Sequence, residues 1–182
     1  MSLASCSKVC KYDVILSFRG PDTRKTFVSH LYNALEQRRI NVFKDDELLE
    51  PGKSIPNKLV NAIEESKFTI VIFSEKYASS RWCLEELAHI IKCRNELDHI
   101  VIPIFYDVSP SDVSCHQNSP FAESFLQYEE MYKHDLEMVQ RWRGACKQAG
   151  KISGYHLQEC KLAFFLLPFL LFCQYFDLLH LN

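Results

Sequence analysis

The chain has few of the residues that interrupt regular structure, with 5 glycines and 7 prolines among its 182 residues. It also lacks a positive charge balance: the formal net charge is -2, so there is no overall field to hold a polyanion such as nucleic acid. No GxGxxG or Walker A pattern is present, which excludes the usual phosphate cradles of dehydrogenases and P-loop NTPases. The remaining composition, 47% hydrophobic and 24% charged, is typical of a folded globular protein.

The 8 cysteines form no CxxC pair and no zinc-ligand quartet, and the N-terminus has no signal-peptide apolar core. We therefore expect reduced thiols in a cytoplasmic protein that also has access to the nucleus, and we predict no metal site. Cys6 and Cys10 leave lipidation open, although unmodified thiols on a flexible end (residues 1–10) are the simpler interpretation.

Short apolar runs alternate with longer segments of helical period, a pattern that predicts a parallel sheet covered by helices on both faces. The predicted strands are residues 12–18, 40–43, 68–73 and 100–106, and the predicted helices are residues 26–38, 55–66, 82–94, 121–133 and 136–149. Gly20 and Pro21 are expected to begin a loop, and Ser79 and Ser80 to cap the third helix. A flavodoxin-like single sheet fits this length, and it binds ligands outside the carboxyl ends of its strands.

Trp82 and Glu86 share one side of the third predicted helix. At about 100° per residue, Leu84, Leu87 and Ile91 form the stripe that faces the core, and the Trp82–Glu86 side is nearly opposite. One interpretation is a tryptophan that covers a loop beside a solvated glutamate that favours the helix N-terminus. Alternatively, a carboxylate beside an aromatic platform can stabilise an oxocarbenium-like transition state, and a cationic leaving group such as the nicotinamide of NAD+ needs no general acid.

Three other features each allow two interpretations. Arg19 and Arg24 bracket the loop after the first strand, where guanidinium groups can bind a pyrophosphate or form surface salt bridges. Ser29 and His30 are adjacent on a helix and point about 100° apart, which favours a surface or interface role over a hydrolase triad. Cys83 lies in the first turn of its helix, where the dipole can lower a thiol pKa, although a buried structural cysteine is the default.

Four runs taken together resemble the plant Toll/interleukin-1 receptor (TIR) domain family. They are residues 12–24 (YDVILSFRGPDTR), the loop from Asp45 and Asp46 to Gly52, residues 77–87 (YASSRWCLEEL) and residues 101–106 (VIPIFY). Their order and spacing extend over residues 11–157, which we take as one domain.

This resemblance implies a flavodoxin-like fold with a five-stranded parallel sheet flanked by helices. It also implies NAD+ nucleosidase activity in innate immune signalling, with NAD+ as substrate and no cofactor. The family's catalytic glutamate falls on Glu86 and not on Glu85. The residues expected to bind NAD+ are Phe18, Arg19, Gly20, Asp22, Arg24, Gly52, Ser80 and Trp82.

The resemblance also implies partners. Family members act as homo-oligomers or with other TIR domains, and Ser29, His30 and Gly154 match two self-association surfaces. Some relatives make 2′,3′-cyclic nucleotides from nucleic acid, and the cysteine that matches Cys83 is implicated in that second activity.

The sequence departs from the family pattern in its loops and at its end. Pro51 replaces a residue that is often basic, and Pro21 replaces a common acidic one. Most relatives continue into a receptor body, so we expect a TIR-only or truncated form. Residues 158–182 are an apolar tail whose uninterrupted stretch, 162–173, is shorter than the ~20 residues that span a bilayer. An unstructured end, membrane contact and packing on the domain all remain open.

Two functions follow from these observations. The first is an NAD+ glycohydrolase, which the presence of Glu86, Trp82, Ser80 and Arg19 favours. The second is a non-catalytic adaptor that keeps the fold and recruits other TIR domains, which Pro51 and the missing receptor body leave open.

Overall fold

A computed structural model of the chain describes residues 10–44 and 56–157, and within these residues five parallel strands form one sheet in the order β2-β1-β3-β4-β5. The strands are β1 (Tyr12–Phe18), β2 (Val42–Lys44), β3 (Ser66–Phe73), β4 (Ile100–Tyr106) and β5 (Tyr155–Leu157). The helices are α1 (Gly20–Thr23), α2 (Ser29–Gln37), α3 (Asn57–Glu64), α4 (Arg81–Leu97), α5 (Pro110–Val113), α6 (Pro120–Met131) and α7 (Leu136–Ala149). A π-helical turn (Arg24–Val28) joins α1 to α2, and a 3-10 turn (Tyr77–Ser79) precedes α4.

The sheet separates two apolar cores. Successive residues of a strand point to opposite faces, so Ile70 and Ile72 of β3 enter one core, and Val71 and Phe73 enter the other. The Ile70 side is covered by α2, and the Val71 side by α3, α4, α6 and α7. Because both faces of β3 are covered, this strand reads as an almost unbroken apolar run, which confirms the predicted doubly covered parallel sheet.

The predicted loop after β1 is wrong in detail. Gly20 and Pro21 begin a helical turn, α1, which the π-helical turn connects to α2. Proline fits the first turn of a helix because the N–H that it lacks has no intrahelical partner there. Gly and Pro therefore end β1, as expected, but they do so by starting a helix directly.

Of the two interpretations of the Trp82–Glu86 side of α4, the solvated glutamate is wrong. Helix α4 contacts α7, α3 and the 3-10 turn as well as the sheet, so it is buried on more than one side. The Glu86 side chain is consequently buried, with 6% of the residue exposed, and is not solvated. The periodicity located the side of α4 that faces the sheet, but it contained no information about what covers the other side.

The fifth strand, β5, is short and was not located from the sequence. It pairs with β4 through Ile104↔Tyr155, Phe105↔His156 and Tyr106↔Leu157. Gly154 precedes it and lies directly against Pro103 of β4, so close that a Cβ would come within 3.0 Å of the Pro103 carbonyl oxygen. The close approach of the two backbones therefore requires glycine at this position.

Within the described ranges, no helix has both the length and the apolar character needed to cross a bilayer. The apolar stretch at 162–173, for which membrane contact was left open, lies outside those ranges.

Candidate functional site

The carboxyl ends of β1 and β3 are connected through Asp22. Its carboxylate forms a salt bridge with the guanidinium of Arg19 and accepts a hydrogen bond of 2.5 Å from the hydroxyl of Ser74. Ser74 follows β3 directly, so this bond ties the loop after β1 to the loop after β3. The structure therefore brings Arg19 and Asp22, two of the predicted NAD+-binding residues, to the ligand-binding edge of the sheet.

Arg24 and Phe18 lie next to each other at the same edge. The Arg24 guanidinium carbon is 5.5 Å from the centre of the Phe18 ring, within the range of a cation–π contact. The Arg24 side chain also crosses over Gly20, where an added Cβ would stand 3.0 Å from a guanidinium nitrogen. Phe18, Gly20 and Arg24 therefore form one small surface beside the Arg19–Asp22 pair.

The N-terminus of α4 faces these loops. Ser80 caps the helix, as predicted, and its hydroxyl accepts a hydrogen bond of 3.3 Å from the backbone N–H of Cys83. Ser79 does not cap; it lies in the 3-10 turn, and its hydroxyl donates to the Lys76 carbonyl oxygen. The thiol of Cys83 donates to the carbonyl oxygen of Phe18 over 3.8 Å, which connects α4 to the end of β1.

Tyr77 connects the first turn of α4 to β1. Its side chain is fully buried, and its hydroxyl donates to the Cys83 carbonyl oxygen at 3.1 Å and lies 3.3 Å from the hydroxyl of Ser17 on β1. Burial, together with the neighbouring Cys83 and Glu86, raises the pKa of Tyr77 well above its usual value. The phenol therefore stays neutral and acts as a rigid support for the first turn of α4.

Glu86 lies within this cluster, and its charge acts on the side chains around it. Besides burial, the Glu86 carboxylate raises the pKa of both Cys83 and Tyr77. Arg19 and Asp22 also act on the pKa of the Cys83 thiol, so these groups surround it from the β1 side. The structure thus gathers Glu86 with the loop after β1, although they are more than 60 residues apart in sequence.

Glu85 has a different environment from its neighbour. Its carboxylate accepts a hydrogen bond of 2.6 Å from the guanidinium of Arg141, and it lines a groove between α4 and α7. The two adjacent glutamates therefore point to different parts of the molecule, and Glu86 is the one near the sheet edge.

Two donors at this edge have no hydrogen-bond partner among the described residues. They are the indole Nε1 of Trp82 and the Nε of Arg19, and both atoms are buried. A buried N–H without an acceptor costs about 1–3 kcal/mol, so a water molecule or a polar group of a ligand that accepts from either donor would be stabilising.

Of the two interpretations of Cys83, a thiol pKa lowered by the helix dipole is wrong, and the buried structural cysteine, which was the default, fits the structure. Burial, and secondarily the charge of Glu86, raises the pKa of this thiol to about 12. Only 5% of the residue is exposed, so the default interpretation of a buried cysteine describes this conformation. The thiol is a weak nucleophile here because it carries almost no thiolate near neutral pH.

The predicted self-association residues lie at two different elements. Ser29 and His30 begin α2; Ser29 donates to the Thr26 carbonyl oxygen at 2.9 Å, and His30 is exposed. Gly154 is half-buried against Pro103 beside β5, so its backbone packing alone accounts for a glycine there. Gly52, predicted to bind NAD+, lies outside the described residues, as do Asp45, Asp46 and Pro51.

Sequence reasoning missed Ser74 and Tyr77. Ser74 carried a usable signal, since a polar residue directly after a central strand lies at the ligand-binding edge of a doubly wound sheet. Tyr77 carried none, because its role depends on Ser17, 60 residues earlier in the chain.

Comparison with known proteins places the chain in context. The TIR domain profile matches residues 11–166. Over 154 residues the chain is 53% identical to the TMV resistance protein N of Nicotiana glutinosa. This aligned region covers 85% of this chain and 13% of that protein. Over 158 residues it is 48% identical to the disease resistance protein RPV1 of Vitis rotundifolia, and this aligned region covers 87% of this chain and 11% of that protein.

Similarity extends to a solved structure. The TIR domains of the activated Roq1 resistosome, which directly recognises the pathogen effector XopQ, match with a TM-score of 0.75 and 47% identity. The match covers 86% of this chain and 98% of that one. The chain itself spans only 11–13% of the length of the two curated relatives above.

Proposed function

Because this chain belongs to the TIR domain family, we propose that it is an NAD+ nucleosidase of plant innate immune signalling and that Glu86 is its catalytic carboxylate. The observation that carries the proposal is the burial of Glu86 at the carboxyl edge of the sheet, among residues that link α4 to the loop after β1. The homology with plant disease resistance proteins supports the immune context.

The chemistry needs only one carboxylate. In NAD+ the bond between the ribose C1′ and the nicotinamide nitrogen breaks heterolytically, and its electron pair neutralises the pyridinium, so the leaving group requires no proton. Positive charge develops on the ribose, and the Glu86 carboxylate stabilises it. Water then adds to C1′ and releases its proton to solvent. A buried carboxylate is suited to this task because charge interactions are stronger away from bulk water.

The surrounding residues have properties that suit the rest of the substrate. The guanidinium groups of Arg19 and Arg24 are matched to a pyrophosphate, although Arg19 must share its charge with Asp22. The indole N–H of Trp82, which has no hydrogen-bond partner in residues 10–44 and 56–157, and the Trp82 ring offer a donor and a stacking surface one helical turn from Glu86. Phe18, Gly20 and Ser80 are the other NAD+-binding residues that we propose at this edge. Gly52 is proposed to bind NAD+ from the sequence alone.

The test is nicotinamide release from NAD+ by the full chain at high protein concentration. Glu86→Gln removes the charge but keeps the size of the side chain, and loss of one transition-state charge contact lowers turnover about 100-fold or more. Glu85→Gln is the matched control, since it removes the adjacent carboxylate from a surface pair with Arg141, and its rate should stay within about twofold of the wild type.

Two results would overturn the proposal. Equal rates for Glu86→Gln and the wild type remove Glu86 from catalysis. A wild-type chain that consumes no NAD+ at any protein concentration, even with a crowding agent, leaves the adaptor function in place of the enzyme.

We also propose that the chain associates with other TIR domains through the first turn of α2. His30 is exposed there, and the similar TIR domains of the Roq1 resistosome belong to an assembly. His30→Glu should shift sedimentation towards monomer, whereas His116→Glu, at another exposed histidine, should not. If both variants sediment like the wild type, this surface is not used.

A further inference from the structure

We propose that Glu64, His89 and Cys93 form a binding site for a divalent transition metal of the zinc class. The site lies between two helices on the sheet face that carries α4. Glu64 is the last residue of α3, and His89 and Cys93 are one turn apart on α4. Residues four apart on a helix lie on the same face, so the imidazole and the thiol both point towards the end of α3.

The distances between the donor atoms match those around a bound ion. The His89 Nε2 lies 3.2 Å from Glu64 Oε1 and 3.5 Å from Cys93 Sγ, and all three donor atoms are within 4.8 Å of one another. Zinc bonds of about 2.0–2.3 Å at tetrahedral angles separate a nitrogen from an oxygen by about 3.3 Å and from a sulfur by about 3.5 Å. The three atoms are thus already arranged around a common point, and only the partly exposed Glu64 carboxylate has to rotate.

Both Glu64 Oε1 and Cys93 Sγ lie within contact distance of the same ring nitrogen, His89 Nε2. A metal ion can use the lone pair of this nitrogen together with the charges of Cys93 and Glu64.

The donor types select the class of ion. Thiolate and imidazole prefer zinc and related transition metals, whereas magnesium and calcium prefer sites built of oxygen atoms. The Cys93 side is closed, with 2% of the residue exposed, while the Glu64 side chain is 44% exposed. An ion can therefore enter past Glu64 and keep a water molecule as its fourth ligand.

The site is separate from the proposed NAD+ site. Glu86 lies three residues before His89 on α4, nearer the carboxyl edge of the sheet, and it is not one of the three donors. Glu64 ends α3, just before the start of β3. An ion bound by these three residues would crosslink the end of α3 to the middle of α4. The sequence contains no metal motif because Glu64 joins the two α4 residues only through tertiary packing.

The test uses the full chain, reduced and freed of metal by a chelator, and titrated with Co²⁺ alone. Cobalt reports its ligands through a thiolate charge-transfer band in the near ultraviolet and through the visible bands of a four-coordinate ion. We expect one Co²⁺ per chain with both signals, displaced by Zn²⁺. His89→Gln and Glu64→Gln should each weaken binding about tenfold or more, and Cys93→Ser should abolish the charge-transfer band.

Matched controls identify the site among the other thiols and imidazoles. Cys10→Ser and His116→Gln remove a cysteine and a histidine elsewhere and should leave the titration unchanged. If Cys93→Ser does not fold, His89→Gln and Glu64→Gln decide the question, because both side chains are partly exposed. The proposal is overturned if the wild type gives no cobalt bands, or if binding by His89→Gln equals that of the wild type.

Discussion

The contact between Gly154 and Pro103 makes a sharp test of how β5 joins the sheet. In a Gly154→Ala variant the new methyl group would lie within 3.0 Å of the Pro103 carbonyl oxygen, 2.8 Å from Pro103 Cγ and 3.0 Å from Phe105 Cε2. Ordinary contacts of a Cβ begin at 3.4 Å, so the two backbones must separate by roughly half an ångström or more. The obstacle is main chain in the paired strand β4, which cannot rotate away as a flexible side chain can.

The expected cost follows from overpacking. Forcing an added methyl group into a packed site costs about 1–3 kcal/mol, and a clash with backbone lies in the upper part of that range. For a chain of this size each kcal/mol lowers the unfolding temperature by about 2–4 °C, so a cost of about 2–3 kcal/mol should lower that of Gly154→Ala by about 4–12 °C.

Gly144 supplies the matched control. It lies inside α7, and a Cβ there would meet no atom within 4 Å. Alanine is favoured over glycine within a helix by about 0.5–1 kcal/mol, so Gly144→Ala should raise the unfolding temperature slightly. Thermal unfolding followed by circular dichroism measures both variants at one protein concentration, since association also shifts the midpoint. An unfolding temperature for Gly154→Ala within about 1 °C of the wild type would refute the close contact.

Three more predictions concern charges and thiols. At pH 8 iodoacetamide should modify Cys83 more slowly than Cys115, by about 100-fold or more. The pKa of Cys83 is raised to about 12, whereas a hydrogen bond with Cys146 lowers that of Cys115. Similar rates in peptide mapping would contradict this. The stability that the neutral Cys83 contributes is fully present below pH 9, the usual range of a thiol, and is lost as the pH rises towards 12. Urea unfolding at pH 8 to 10.5 should therefore show a fall of up to about 1.4 kcal/mol per pH unit that Cys83→Ala makes shallower, and identical slopes would argue against it. Asp22→Asn should lower the unfolding free energy by about 1–2 kcal/mol, because it breaks the part-buried pair with Arg19 and weakens the hydrogen bond from Ser74. The control Glu130→Gln, in an exposed pair, should change the unfolding free energy by less than about 0.5 kcal/mol. Equal effects of the two variants in urea unfolding would show that the Asp22 contacts are not formed.

Most of the sheet was predictable because its longer strands have a recognisable local sequence pattern. The bounds of β1 and β4 match the predicted runs, since each is a continuous series of apolar and β-branched residues between clear interruptions. Strand β5 has three residues and exists only through its pairing with β4, so no local pattern predicts it. The same reason explains Gly20 and Pro21, which signal the end of a strand equally well whether a loop or a helix follows.

The position of Glu86 on α4 and the cap at Ser80 could also be derived from the sequence, because helical spacing and capping depend on neighbours within one turn. The burial of Glu86 could not, because it depends on α3, α7 and the 3-10 turn that close the far side of α4. Long-range pairs were likewise decided by the fold alone: Ser74 with Asp22, Tyr77 with Ser17, and His89 with Glu64. Local spacing determines which side chains share a helix face or strand face, whereas desolvation and pKa depend on every element packed around them. The sequence alone thus determined which residues stand at the edge of the sheet, and the tertiary structure decided that Glu86 is buried there and that Cys83 is protonated beside it.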